Sequence, residues 1–283
     1  MAPSWLDVLD ETTRVSAAHG RSDLIHWLRH KRAQLLDPRL RVLVIGEPGQ
    51  GKSQLINALV NASACPVGDG SATAVPTVVQ YAEAPSATLV RTPPPPGAAA
   101  GEPAPPEERV ALVGDQVSAG IGGKLPSRPG AGTSHVEIGV PRGLLASGIV
   151  LIDTPGVDGE EPSRSPGTLA AFARADLVLM VSDATRELSV TELNLLLHLA
   201  QSHANVVVAQ TKIDLASHWH DVADANRRHL AGAGLPCSLI PISAALRLRA
   251  ARTNDEAINA ESGFPELVAR LARDRAGKGD ALA

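Results

Sequence analysis

The sequence predicts an α/β fold, a mostly parallel sheet flanked by helices, on three observations. Apolar runs without polar interruption recur along the chain, at Val42–Ile45, Ile149–Ile152, Leu177–Val181 and Val206–Ala209, as expected of strands covered on both faces. Segments with helical periodicity lie between them, such as Gln54 to Val60 and a stretch expected to bury Leu193, Leu196, Leu197 and Ala200. The runs end in short polar or glycine-containing turns, which places any site along the carboxyl ends of the strands. The core is aliphatic, because 44% of the residues are hydrophobic and only 2% are aromatic.

The first strand feeds Gly46-Glu47-Pro48-Gly49-Gln50-Gly51-Lys52-Ser53, a GxxxxGKS sequence, and a helix pattern follows at once from Gln54. Gly46 and Gly51 let the backbone curl with its N–H groups inward, and these donors and the helix N-terminus form a concavity for phosphate. Lys52 is expected to reach the β- and γ-phosphates and the Ser53 hydroxyl to ligate Mg²⁺. Gly120-Ile121-Gly122-Gly123-Lys124-Leu125 lacks both a feeding strand and a hydroxyl after its lysine, so it reads as a loop.

The run Ile149–Ile152 ends in Asp153-Thr154-Pro155-Gly156, a DxxG. Behind a phosphate loop, Asp153 is expected to hold Mg²⁺ through water, and the Gly156 N–H to sense the γ-phosphate. The run Val206–Gln210 delivers Thr211-Lys212-Ile213-Asp214. A carboxylate at Asp214 accepts from both N1–H and the exocyclic amine of guanine, whereas adenine offers neither at those positions. The Lys212 stem is placed to cover the purine, and the backbone of Ser243-Ala244, after the strand Ser238–Ile242, to meet the guanine carbonyl oxygen. The ligand expected is therefore GTP or GDP.

Ahead of the phosphate loop, Ser4 is read as the cap of a first helix that stops at Gly20. Ser22 and Asp23 start a second, with Leu24, Ile25, Leu28, Leu35 and Leu36 on one side, that ends at Asp37-Pro38. These helices either pack on the flank of the domain or form part of a neck. After the phosphate-loop helix, Val78–Tyr81 and Ala87–Val90 read as a hairpin about Glu83–Ser86. Residues 92–106 are proline-rich and read as a solvated loop. Val110–Val113 and Val136–Val140 read as further strands. Ser189 and Glu192 form a capping box. Past Leu267, Val268 and Leu271, the mixed charges and glycines of Arg273–Asp280 predict a fraying helix end.

Bulk properties remove several classes. A net charge of −4 provides no general attraction to nucleic acid or to anionic lipid, so no nucleic-acid partner is expected. Cys65 and Cys237 are far apart in sequence and lack metal-ligand spacing, which suits two small buried residues in a reducing compartment. The His218, His220 and Asp221 cluster, with His198 and His203 before it, is paired with no cysteine or second carboxylate cluster and reads as surface. There is no signal-peptide pattern and no apolar run of about 18 residues.

The elements at Gly46–Ser53, Thr73, Asp153–Gly156 and Thr211–Asp214 resemble the GTPase domain of the dynamin superfamily. The stretches Gly51–Leu59, Ala72–Val79, Thr253–Glu256 and Glu261–Pro265 resemble the bacterial dynamin-like proteins of the isoniazid-inducible type. The resemblance implies an enlarged Ras-like P-loop GTPase hydrolysing GTP with Mg²⁺, with N-terminal helices over 1–38, the GTPase domain over 39–250 and C-terminal helices over 251–283. It also implies that Thr73 ligates Mg²⁺ beside Ser53 and orders the attacking water with Gly156. Two such domains are expected to pair face to face. Membrane contact, at the inner face of the cell membrane from the cytoplasm, is expected through a helical trunk beyond this chain. Many relatives carry polar or basic residues in the middle of the phosphate loop; Pro48 and Gly49 depart from that pattern. A signalling or ribosome-assembly GTPase, or a slow-turnover scaffold, are the rival functions.

Overall fold

The computed structural model describes residues 5–67, 75–91, 107–122, 134–155, 175–201 and 205–280. Two helices open the chain, α1 (Trp5–Ala18) and α2 (Ser22–Leu36), followed by β1 (Leu40–Ile45) and α3 (Lys52–Val60). Next come β2 (Thr77–Tyr81), β3 (Ser86–Arg91), β4 (Glu108–Ala111), α4 (Asp115–Ile121), β5 (Ser134–Val140), α5 (Gly143–Ala146) and β6 (Ile149–Asp153). The remainder holds β7 (Leu177–Asp183), α6 (Val190–Gln201), β8 (Asn205–Thr211), α7 (Trp219–Gly232), β9 (Ser238–Pro241), α8 (Ala244–Thr253), α9 (Glu256–Glu261) and α10 (Phe264–Asp280).

The strands described form one sheet in the order β4-β3-β5-β2-β6-β1-β7-β8-β9. The five from β6 to β9 are mutually parallel, and β2 joins β6 antiparallel. Successive residues of β1 serve opposite faces of this sheet, as the pleat requires. Val42 and Val44 pack with Leu55, Ile56 and Leu59 of α3 and with Phe264, Leu267 and Leu271 of α10. Leu43 and Ile45 pack with Leu196 and Leu199 of α6 and Leu230 of α7. Covering both faces is what makes the strands near-continuous apolar runs, and it leaves their carboxyl ends as the free edge on which a site can be built.

The structure departs from the sequence-based expectations at four places. First, β2 and β3 are not a hairpin, since β5 lies between them, parallel to β2 and antiparallel to β3. The short connection crosses the end of β5 at Gly139, where a Cβ would stand 2.4 Å from Ser86 Oγ and 2.6 Å from Ala82 Cβ. Glycine is what leaves room for it. Second, Gly120 and Ile121 close the helix α4, with Ile121 fully buried, although they read as loop; Gly123 to Thr133 lie outside the described residues. Third, α6 buries Leu199 instead of Leu197, which is exposed. Fourth, α10 does not fray after Leu271 but continues through Gly277 and Gly279 to Asp280. Tertiary bonds hold its last turns: Arg275 Nε donates to the Ser147 carbonyl, and Lys278 Nζ donates to the Arg39 carbonyl and to Asp176. They offset the backbone entropy of the glycines.

The first two helices pack chiefly on each other, with Arg32 paired to Asp10 across them. The stop at Gly20 is present, with φ at +68°. Of the five apolar residues expected on one side of α2, Leu28 is buried, whereas Leu24, Leu35 and Leu36 are exposed. Trp5 at 81% and Trp27 at 54% are also open to solvent. Ser4 and the segment 92–106 lie outside the described residues. Among the described residues, no helix is long and apolar enough to cross a membrane.

Because Leu271 is fully buried against the sheet, Leu271→Ala is expected to lower unfolding free energy by about 2 to 5 kcal/mol. Urea denaturation measures this. A loss below about 0.5 kcal/mol would mean that α10 is not part of the core.

Candidate nucleotide site

The site begins where β1 ends. Gly46 takes φ +149°, Gly49 +77° and Gly51 +91°, conformations that an L side chain rarely adopts. Gly46 is also pressed against β7, where a Cβ would lie 2.4 Å from the Val181 carbonyl oxygen. Gly51 precedes the first residue of α3, so the turn hands the chain into a helix whose N-terminal N–H groups face the loop. Lys52 is buried at 7% exposure, and its ammonium donates to the carbonyls of Gly46 and Glu47 at 2.9 and 2.8 Å. This fixes the charge inside the curl, where a phosphate would sit.

The Ser53 hydroxyl donates to Asp153 Oδ2 at 2.7 Å, which brings the end of β6 against the start of α3. Asp153 is fully buried. Next to it, Thr154 Oγ1 donates to the Val44 carbonyl at 2.8 Å and ties the DxxG strand back to β1. Cys65 lies near this carboxylate; burial, and then the Asp153 charge, push its thiol well above its ordinary pKa, so it stays a neutral packing residue. Thr73 and Gly156 lie outside the described residues.

The Thr211–Asp214 segment, expected to read the base, is joined to the phosphate loop directly. Thr211 Oγ1, at the end of β8, donates to the Gln50 carbonyl at 2.7 Å. Lys212 follows with φ +62°, and its ammonium donates to Asp183 Oδ2 at 3.1 Å, at the end of β7. Ser243 Oγ donates to Asp214 Oδ1 at 2.5 Å and accepts from the Leu246 N–H, capping α8, so Asp214 is oriented by the same residue that starts the helix at Ala244. Gln54 faces a cleft of about 810 Å³ beside α3 that is also lined by Asn57, Cys65, Ala245 and Arg252.

Sequence reasoning placed Glu47 and Gln50 in the phosphate loop and Glu192 in a capping box, but missed Arg186 and the contacts that join them. Gln50 is 2% exposed; its Oε1 accepts from the Glu47 N–H and its Nε2 donates to Glu192, both at 2.8 Å. Arg186, after β7, bridges Glu192 at 2.6 Å and Glu47 at 2.8 Å. The capping box is present, with Ser189 N–H donating to Glu192 at 2.7 Å and Glu192 N–H to Ser189 Oγ at 3.1 Å. The box was legible in sequence, but nothing in it signals that Glu192 is buried.

Burial works against the charged form of Glu192, yet the bonds from the Ser189 N–H, Arg186 and Gln50 outweigh it and hold the carboxyl below its ordinary pKa. Asp183 behaves alike: burial is outweighed by bonds from Thr185 and Lys212. A carboxyl lowered in the folded state contributes stability that is full above its unfolded value, about 4, and is lost as pH falls through the folded value. Unfolding free energy is therefore expected to be flat from pH 8 to 6 with respect to these groups and to fall below about pH 4. In Glu192→Gln and Asp183→Asn, measured by denaturant titration across pH, that acid slope should be shallower. Thr211→Val, which removes the tie to Gln50, should weaken nucleotide binding and cost about 1 to 3 kcal/mol of stability, read by nucleotide titration and thermal unfolding.

The family model for the dynamin family matches residues 42–213. The isoniazid-induced protein IniA of Mycobacterium tuberculosis, in strains CDC 1551 / Oshkosh and ATCC 25618 / H37Rv, is 36% identical over 263 residues. That alignment covers 93% of this chain and 40% of IniA, so the chain spans about 40% of the length of these relatives. Two solved chains of an oligomerised bacterial dynamin pair, described as a mechanism for long-range sensing and tethering of membranes, match with TM-scores of 0.66 and 0.64. Their identities are 17% and 18%, and the match covers 98% of this chain and 44% and 52% of theirs, which supports the fold alone. The α/β sheet with its phosphate loop therefore agrees with a family match that spans more than half the sequence, and the chain belongs to the dynamin family.

Proposed function

We propose that this chain binds GTP and hydrolyses it to GDP, as the GTPase portion of a bacterial dynamin-like protein acting in membrane remodelling or maintenance. The observation that carries the reading is the junction of base reader and phosphate loop. Thr211 holds the Gln50 carbonyl while Ser243 orients Asp214, so recognition of guanine and the cradle for phosphate share one rigid frame. The fold shared with the bacterial dynamin pair, described as sensing and tethering membranes, supports the membrane part.

In this reading the N–H groups from Gly49 to Gln54 and the Lys52 ammonium take the phosphates, and Asp214 takes the guanine edge. Lys212 covers one face of the purine, and the backbone at Ser243 and Ala244 faces its carbonyl oxygen. Ser53 and Asp153 are hard oxygen donors 2.7 Å apart, and among the described residues no group of three or more His, Cys, Asp or Glu forms a protein cage. This donor set fits Mg²⁺, an ion that keeps waters and takes one or two protein oxygens alongside phosphate oxygens. The ion would neutralise charge developing on the phosphates. Thr73 is proposed as a further ligand of it, and the backbones of Thr73 and Gly156 as the groups that orient the attacking water. The exposed apolar surface of α1 and α2 and the midloop Pro48 and Gly49, which have no charge to offer, fit a domain that works in pairs.

Asp214→Asn exchanges a double acceptor for an amide and is expected to weaken GTP while improving xanthosine triphosphate, in a competition titration. An unchanged preference would assign the base to another residue. Turnover by dilute protein should be slow, because a missing arginine-type charge is worth about 10³ to 10⁵ in rate, and should rise with protein concentration. A rate that is independent of concentration and above about 1 per second would contradict the paired site.

A further inference from the structure

The side chains of Glu47, Gln50, Glu192 and Arg186 form a ring that has no role in the chemistry described above, yet two of them, Glu47 and Gln50, belong to the phosphate loop. We infer that Glu192 is a positioning residue of the nucleotide site, acting through Gln50 and Arg186 to hold the loop in its receptive curl before any nucleotide arrives. The inference rests on the nucleotide-binding reading of that loop.

The loop has few anchors of its own. At its tip, Pro48 has no N–H to give and Gly49 has no side chain, with φ at +77°, so the tip cannot anchor itself. The anchor comes from below. Gln50 Oε1 accepts from the Glu47 N–H at 2.8 Å, closing the loop across Pro48 and Gly49. Its Nε2 then donates to Glu192 Oε1 at 2.8 Å, which fastens the closed loop to the first turn of α6.

A carboxylate buried at 2% exposure is tolerated only when its oxygens are satisfied. Glu192 has Gln50 Nε2 on one oxygen, and on the other Arg186 at 2.6 Å and the Ser189 N–H at 2.7 Å. Arg186 also reaches Glu47 Oε2 at 2.8 Å, so the ring closes on the loop residue at which it began. The arginine has an electrostatic duty as well. Two carboxylates beneath a phosphate cradle would repel a nucleotide, and the guanidinium between them cancels part of that field. Every bond in the ring is side chain to side chain or side chain to loop backbone, so its loss changes loop order while leaving the sheet intact.

The test is a double-mutant cycle on nucleotide affinity, with GDP and a non-hydrolysable GTP analogue titrated into wild type, Gln50→Met, Glu192→Gln and the double variant. Gln50→Met keeps the shape and leaves the capping box untouched, so it remains informative if Glu192→Gln folds poorly. Each single variant is expected to raise Kd about tenfold or more, the range of one charge-assisted hydrogen bond, and KM should rise by a larger factor than kcat falls. The double variant should lose little beyond the worse single one, because both act through the same contact. A double variant that shows the product of the two single effects would overturn the inference, as would single variants that bind as tightly as wild type. Wild type that binds neither nucleotide would instead overturn the reading of the site itself.

Discussion

The turn after β1 lies so close to β7 that a Cβ on Gly46 would stand 2.4 Å from the Val181 carbonyl oxygen. That close approach fixes where the chain goes next. With the loop pressed down at Gly46, the Lys52 ammonium can reach the Gly46 and Glu47 carbonyls, Gln50 is driven inward, and its carbonyl comes within reach of Thr211. The sheet supplies the base for this arrangement: five parallel strands, covered on both faces, end side by side. Loops at that edge can be brought together without any one of them being long.

From that constraint the site divides into two ties. One runs from Ser53 to Asp153 and joins the phosphate-loop helix to the DxxG strand. The other runs through Thr211 and joins the loop to β8, the strand proposed to deliver the base reader, with Ser243 holding Asp214 from the far side. The ring of Glu47, Gln50, Glu192 and Arg186 steadies the loop from the direction of α6. Polar groups buried at such a site are costly unless satisfied, and here many of them satisfy one another, so the cradle stands already formed.

Much of this was legible in the sequence because the informative elements are local. GxxxxGKS, DxxG and TKxD each sit at the end of an apolar run, and spacing alone puts them on one edge. The capping box at Ser189 was likewise local. What escaped was set by distance in the chain. The place of β5 between β2 and β3 depends on Gly139 clearing Ser86 and Ala82, which strand patterning does not encode. The persistence of α10 through two glycines depends on Arg275 and Lys278 reaching residues more than 100 positions away. Arg186 gave no signal, since a lone arginine after a strand resembles ordinary surface until its two carboxylates are seen.

The central claim is that one preformed edge reads guanine and holds phosphate together. The most direct measurement of it is the affinity of the unmodified protein for GTP against ATP, titrated in parallel with and without Mg²⁺. Recognition by an oriented carboxylate predicts GTP bound at least about a hundredfold more tightly than ATP, with Mg²⁺ strengthening GTP. Equal affinity for the two nucleotides would contradict it.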